Sequence, residues 1–162
     1  MAQASFDIVS EIDRHELANA LDQAKKEIMT RFDFKGTGTE IAHQDDSIVI
    51  KSSSEGRVTA ALEVLKDRLV KRKISLKSIN EGPITDAAGG NFRMTISLVF
   101  GIDDEKGRAI NKFIKGLPVK AQSQLQGEQL RVSSKNKDDL QAVITALKEQ
   151  DFGIPLQFTN YR

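Results

Sequence analysis

The sequence predicts an α+β protein in which one βαββαβ unit is built twice. The first observation is an internal repeat. The run Ile48-Val-Ile-Lys-Ser-Ser-Ser-Glu-Gly-Arg-Val-Thr-Ala-Ala-Leu-Glu-Val-Leu65 is matched without a gap by Leu130-Arg-Val-Ser-Ser-Lys-Asn-Lys-Asp-Asp-Leu-Gln-Ala-Val-Ile-Thr-Ala-Leu147. Ile48 aligns with Leu130, Ile50 with Val132, Val58 with Leu140, Leu62 with Ile144 and Leu65 with Leu147, so a short alternating strand leads twice into a helix with the same apolar face. The second observation is the offset of 82 residues, which suits two small domains rather than a solenoid. The third is that the flanking elements recur in the same order.

In the first half Phe6, Ile8 and Ile12 alternate as a strand does. Asp13-Arg-His-Glu16 has the spacing of a capping box, and Leu17, Leu21, Ala24, Ile28 and Phe32 share one face of a helix over 14–32. Residues 34–41 and 47–52 then read as a hairpin around Gln44-Asp45-Asp46, and the spacing of Ser52 to Glu55 predicts the cap of the helix bearing Val58, Ala61, Leu62, Leu65 and Leu69. A strand over 74–79 closes the half. Residues 81–91, with Gly82, Pro83, Gly89 and Gly90 and no periodicity, read as a linker between a first domain (1–80) and a second (92–162). In the second half Phe92, Met94, Ile96, Leu98 and Phe100 alternate, Asp103 caps a helix carrying Ile110, Phe113, Ile114 and Leu117, and Gly116 with Pro118 stops it. A hairpin over 119–126 and 129–134, a helix from about 137 to 150 and a strand over 156–161 complete the order. Each βαββαβ run closes most simply as a four-stranded antiparallel sheet backed by two helices, the ferredoxin-like sandwich. Helices then cover only one face of each sheet.

The composition, 39% hydrophobic and 29% charged with a formal net charge of +1, is that of an ordinary globular protein without global attraction to nucleic acid or membranes. The absence of Cys excludes disulfides, thiolate metal sites and a Cys nucleophile. An N-terminus acidic by Asp7, without a basic or apolar leader, and the lack of a long apolar run predict a cytoplasmic protein with no membrane partner. His15 and His43 stand apart from any carboxylate or nucleophile motif, so a non-enzyme without metal or cofactor is expected.

Phe34-Lys-Gly-Thr-Gly-Thr39 lacks the spacing of a phosphate loop, and the alternative is that Gly36 and Gly38 permit a bulge in an edge strand. Lys66, Arg68, Lys71, Arg72 and Lys73 form a basic helix end, which the helix dipole favours whatever the function. More informative is the uncovered face of the second sheet. Lys120, Gln122 and Gln124, then Arg131, Ser133 and Lys135, then Gln157, Thr159 and Tyr161 share the parity opposite to the apolar positions, giving a polar, basic and acid-free face. It lacks the aromatic motif of an RNP sheet, Tyr161 excepted, and suits phosphate and polar base-edge contacts to a small nucleotide better than a base-stacking platform. The alternative is a solvated or domain-packed sheet.

Ser5-Phe-Asp-Ile-Val-Ser-Glu11, Arg31-Phe-Asp-Phe-Lys-Gly-Thr37, Gln124-Leu-Gln-Gly-Glu-Gln-Leu-Arg-Val132 and Lys137-Asp-Asp-Leu-Gln-Ala-Val143 closely resemble the YajQ family. The resemblance runs nearly end to end. It implies a bacterial cytoplasmic protein with two ferredoxin-like domains that have exchanged their first strands, so that strand 6–12 pairs in the second sheet and strand 92–100 in the first. It implies nucleotide binding, with cyclic di-GMP, GTP or ATP as ligand, effector function through a transcription-regulating protein or DNA in some members, and RNA (tRNA) binding by RNP-like domains as the alternative. Because they flank a family motif, Arg31 and Lys35 join Lys120, Gln122, Gln124, Arg131 and Tyr161 as candidate nucleotide contacts.

Overall fold

The structure, a computed structural model, describes residues 3–162. In chain order these form β1 (Ala4–Val9), α1 (Arg14–Thr30), β2 (Glu40–Gln44), β3 (Ser47–Ser52), α2 (Glu55–Lys71), β4 (Ile79–Ala87), β5 (Asn91–Leu98), α3 (Asp104–Lys115), β6 (Gln122–Gln126), β7 (Gln129–Ser134), α4 (Lys137–Lys148) and β8 (Gln157–Thr159). The strands make two four-stranded antiparallel sheets, β2-β3-β5-β4 and β6-β7-β1-β8. Thus β5 lies between β3 and β4, and β1 between β7 and β8.

Two compact units result. One is continuous, Ile12–Val99; the other is split between the segment ending at Glu11 and Phe100–Arg162. In the continuous unit Ile48, Ile50, Met94, Ile96 and Leu98 alternate inward from β3 and β5 and bury against Val58, Ala61, Leu62 and Leu65 of α2 and Leu17, Leu21, Ala24 and Ile28 of α1. Asp13 caps α1 as expected, its Oδ1 accepting from the N–H groups of His15 and Glu16. The cap of α2 is Ser54, which accepts from the Arg57 N–H at 3.2 Å. Ser52, expected in that role, ends β3, and its hydroxyl lies 2.8 Å from that of Thr39.

Three other sequence expectations are corrected here. Residues 34–39 do not form a strand. A short 3-10 turn over Phe32–Phe34 is followed by left-handed Gly36 (φ 74°) and Gly38 (φ 63°), a conformation that costs a side-chain-bearing residue roughly 1–2 kcal/mol, so the glycines make a turn and β2 starts only at Glu40. The segment 74–79 is mostly a second 3-10 turn, Leu76–Ser78. Residues 81–91, read as a linker, are the greater part of β4 and the turn into β5, with a register shift between Glu81 and Ile84. At Gly82 a Cβ would lie 2.6 Å from the Thr95 carbonyl oxygen, so only glycine permits this approach. Pro83 is tolerated because β4 is an edge strand, where a missing N–H breaks no ladder.

In the split unit Phe6 and Ile8 of β1 and Leu130 and Val132 of β7 are fully buried, facing Leu140, Val143, Ile144 and Leu147 of α4 and Ile110 and Ile114 of α3. Asp103 caps α3 through the Lys106 N–H. The points where the chain leaves and re-enters this unit are joined directly: the Ser10 carbonyl accepts from the Gly101 N–H at 2.6 Å.

Candidate functional site

Pairing across the split sheet sets out, in rows, the face opposite its helices. Gln124 opposes Arg131, Arg131 opposes Asp7, and Asp7 opposes Thr159; in the adjoining row Gln122 opposes Ser133, which opposes Ser5. Successive residues of a strand point to opposite faces, so Leu125, Leu130, Val132, Phe6, Ile8 and Phe158 take the helix side. Gln122, Gln124 and Arg131 therefore share the face expected of them. The face is not acid-free, however, because β1 brings Asp7 into its middle. Its carboxylate, 1% exposed, accepts from Arg131 Nε at 3.0 Å and from Asn160 Nδ2 at 2.8 Å. Burial opposes ionisation of Asp7, but the hydrogen bonds from Arg131 and Asn160 and the charges of Arg131 and Arg162 outweigh it, and the carboxyl is held below its ordinary pKa. Arg131 thus already has a carboxylate partner before any ligand arrives.

Tyr161 leaves the face altogether. Thr159 pairs with Asp7, yet Ser5, two residues back along β1, exchanges both backbone hydrogen bonds with Arg162 (3.1 and 2.9 Å) rather than with Tyr161. One extra residue is accommodated at Asn160, whose φ of 54° is left-handed, and the parity of the strand reverses there as it does at a bulge. Tyr161 consequently turns toward the helices. Its ring centroid is 6.2 Å from that of Phe6, and it lines a cavity of about 330 Å³ with Phe6, Leu140 and Ile144. Arg162 occupies the outward place read for Tyr161. The sequence signal was Asn160, a residue type enriched in left-handed backbone.

Lys120 lies just before β6, exposed, with its carbonyl accepting from Ser134 Oγ at 2.7 Å. It lines a second cavity, of about 500 Å³, with Gln122, Ser133, Lys135, Asn136 and Asp139. Two ammonium groups, hydroxyls and amides thus converge beside the first turn of α4, with Asp139 as the one carboxylate of the lining. Such a donor set can neutralise and hydrogen-bond a phosphate.

Arg31 and Lys35 belong to the continuous unit. Arg31 is engaged bidentately by Asp33 (Nε–Oδ1 3.0 Å, Nη2–Oδ2 2.8 Å), and its guanidinium lies 5.1 Å from the centre of the Phe34 ring. The hydrogen bond from Arg31 holds the Asp33 carboxyl below its ordinary pKa, so this arginine fastens the turn. Lys35 is exposed on that turn. The basic end of α2 is largely paired: Arg68 with Glu27 at 3.1 Å, Arg72 with Glu16 at 3.6 Å, Lys66 with Glu81 at 2.6 Å and Lys71 with Asp67 at 3.0 Å. His43 Nε2 sits 3.0 Å from the Asp45 carbonyl oxygen, and His15 is exposed in the first turn of α1. Among the described residues no helix is long and apolar enough to cross a membrane.

A protein-family profile described as "Nucleotide-binding protein YajQ-like" matches residues 4–162. Among curated proteins, a "Nucleotide-binding protein" of Nocardia farcinica (strain IFM 10152) is 52% identical over 165 residues, covering all of both chains. Proteins of the same name from Mycobacterium tuberculosis (strain ATCC 25177 / H37Ra), 48% identical with both chains fully covered, and from Desulfitobacterium hafniense (strain DSM 10664 / DCB-2), 46% identical over 98% of both chains, are similar along the same length.

Proposed function

This chain belongs to the YajQ-like family of nucleotide-binding proteins, and from that premise we propose that it binds a nucleotide through the split unit. It does so without catalysing a reaction and acts as a cytoplasmic effector of cyclic di-GMP toward a protein or DNA partner. The observation that carries the site is the cavity where Lys120 and Lys135 meet Gln122, Ser133 and Asn136 beside the Gln124–Arg131 row. With Tyr161 turned off that face, recognition there rests on charge-assisted hydrogen bonds to phosphate and polar contacts to a base edge, which favours a small nucleotide over RNA. The placement of β1 between β7 and β8, and of β5 between β3 and β4, supports the reading that two ferredoxin-like domains have exchanged their first strands.

Calorimetry with cyclic di-GMP, GTP, ATP and tRNA tests the reading. Lys120→Ala should weaken binding by roughly 1–3 kcal/mol, the usual contribution of a hydrogen bond to a charged group, while leaving the fold intact because Lys120 is exposed. A small nucleotide should show a shallow dependence of affinity on salt, whereas steep dependence with tRNA as the preferred ligand would transfer the function to RNA. Unchanged affinity of Lys120→Ala for every ligand in the panel would remove this cavity as the site.

A further inference from the structure

We propose that the 330 Å³ groove beside Tyr161 is a purine-base subsite, with the ring of Tyr161 as the stacking surface and Lys137 and Gln141 as its polar contacts. The proposal rests on the nucleotide reading above and adds a location separate from the Lys120 cavity. Three observations carry it. Tyr161 is 65% exposed, yet its backbone is held on both sides, by Arg162 through two hydrogen bonds to Ser5 and by Asn160 through its amide to Asp7. An aromatic residue whose backbone is anchored on both sides and whose ring lies beside Phe6 stands at the cavity rim with less to order on binding than one on a free segment. The floor is apolar, made of Phe6, Leu140 and Ile144, each at most 7% exposed. On the rim Lys137 and Gln141, four residues apart and so on one face of α4, place an ammonium and an amide together.

No carboxylate side chain lines this groove, unlike the Lys120 cavity with its Asp139. An apolar floor, an aromatic wall, one amide to read a ring edge and two cations, Lys137 and Arg162, for an anionic substituent together describe a purine nucleotide; a purely apolar guest would leave Gln141, Lys137 and Arg162 unused. The volume lies at the lower end of ligand pockets, about 300 Å³ upward, which suits one base with its sugar.

Tyr161 is the only tyrosine of the chain. Full-length protein labelled with fluorotyrosine therefore gives a single fluorine resonance that reports on this ring alone. Titration with AMP, GMP, ATP and cyclic di-GMP should shift that resonance saturably, in step with the calorimetric isotherm, and ribose 5-phosphate should leave it in place. Tyr161→Ala should lose about ten-fold in affinity, as removal of one base-stacking contact does, and Tyr161→Phe, which keeps the ring, should bind as the parent. Lys137→Gln should weaken nucleotides and leave nucleosides unaffected. Thermal midpoints equal to the parent's show that the variants remain folded. Nucleotide binding by calorimetry with an unmoved resonance and full affinity in Tyr161→Ala overturns the groove and leaves the Lys120 reading standing. A shifted resonance with full affinity in Lys120→Ala does the opposite. Neither heat nor shift with any nucleotide ends both.

Discussion

Asp7 shows how much a single side chain decides on this face. Its folded pKa lies below the ordinary 3.8, so the stability it contributes is complete above that value and is lost as the pH falls through the lower folded one. Asp7→Asn leaves Arg131 without its counter-charge and should lower unfolding stability in urea at neutral pH by about 1–3 kcal/mol. The difference from the parent should shrink to nothing in acid; a difference that persists there would mean that packing, and not the charge, was lost. Nearby Ser10 gives the contrary case. It is 1% exposed and its hydroxyl has no hydrogen-bond partner among the described residues, so Ser10→Ala should be neutral or slightly stabilising in the same assay. Alternation in the sequence was sufficient to put Gln122, Gln124 and Arg131 on one face. Alternation within β6, β7 and β8 leaves out Asp7. Yet Phe6 and Ile8 facing inward, and the exchange of strand 6–12 into this sheet that the resemblance implies, together place Asp7 on the same face; an acid-free face follows only where the two are not combined. Alternation could not place Tyr161, because parity holds only until the left-handed Asn160 interrupts the strand.

At the level of elements, helices were legible and edges were not. The 3.6-residue apolar period, together with Asp13 and Asp103 at caps, located α1 and α3 to within two residues, since those signals lie within the helix itself. Asp13→Ala and Ser54→Ala should each cost about 1 kcal/mol, read as a lowered thermal midpoint, because each removes the side-chain acceptor at its helix's first turn. β4 was hidden for a physical reason. An edge strand with a register shift carries Gly82 and Pro83 for steric purposes, and the same residues in sequence spell a loop. Gly82→Ala drives a methyl group into the Thr95 carbonyl and should destabilise the continuous unit by roughly 1–3 kcal/mol by urea unfolding. A wild-type midpoint in that variant would show that β4 can slide away from β5. The candidate site inherits the same division: its strand-borne residues follow from alternation, while Lys120 and Lys135 sit beyond the strand ends, where only the folded chain shows that they line one cavity.

For the molecule as a whole, duplication in the sequence foretold two similar units but not where to cut them. Boundaries at 80 and 92 fall inside the β4–β5 hairpin, whereas the compact units divide at 11/12 and 99/100. A fragment of residues 12–99 should therefore unfold cooperatively by itself, and one of residues 1–82, which lacks β5 from the middle of its sheet, should not. Circular dichroism during thermal melting distinguishes the two; a cooperative transition in the shorter fragment would refute this division. The nesting of one unit between Ser10 and Gly101 also has a consequence in time. On the ribosome the nested unit can close as soon as Leu98 has emerged. β1 must wait some 124 residues for β7, roughly 6–25 s at ribosomal synthesis rates of about 5–20 residues per second, with Phe6 and Ile8 lacking their partner strand throughout. A strand synthesised ahead of the nested unit is thus completed after it, and its apolar residues are where a nascent-chain chaperone would find a long-lived target.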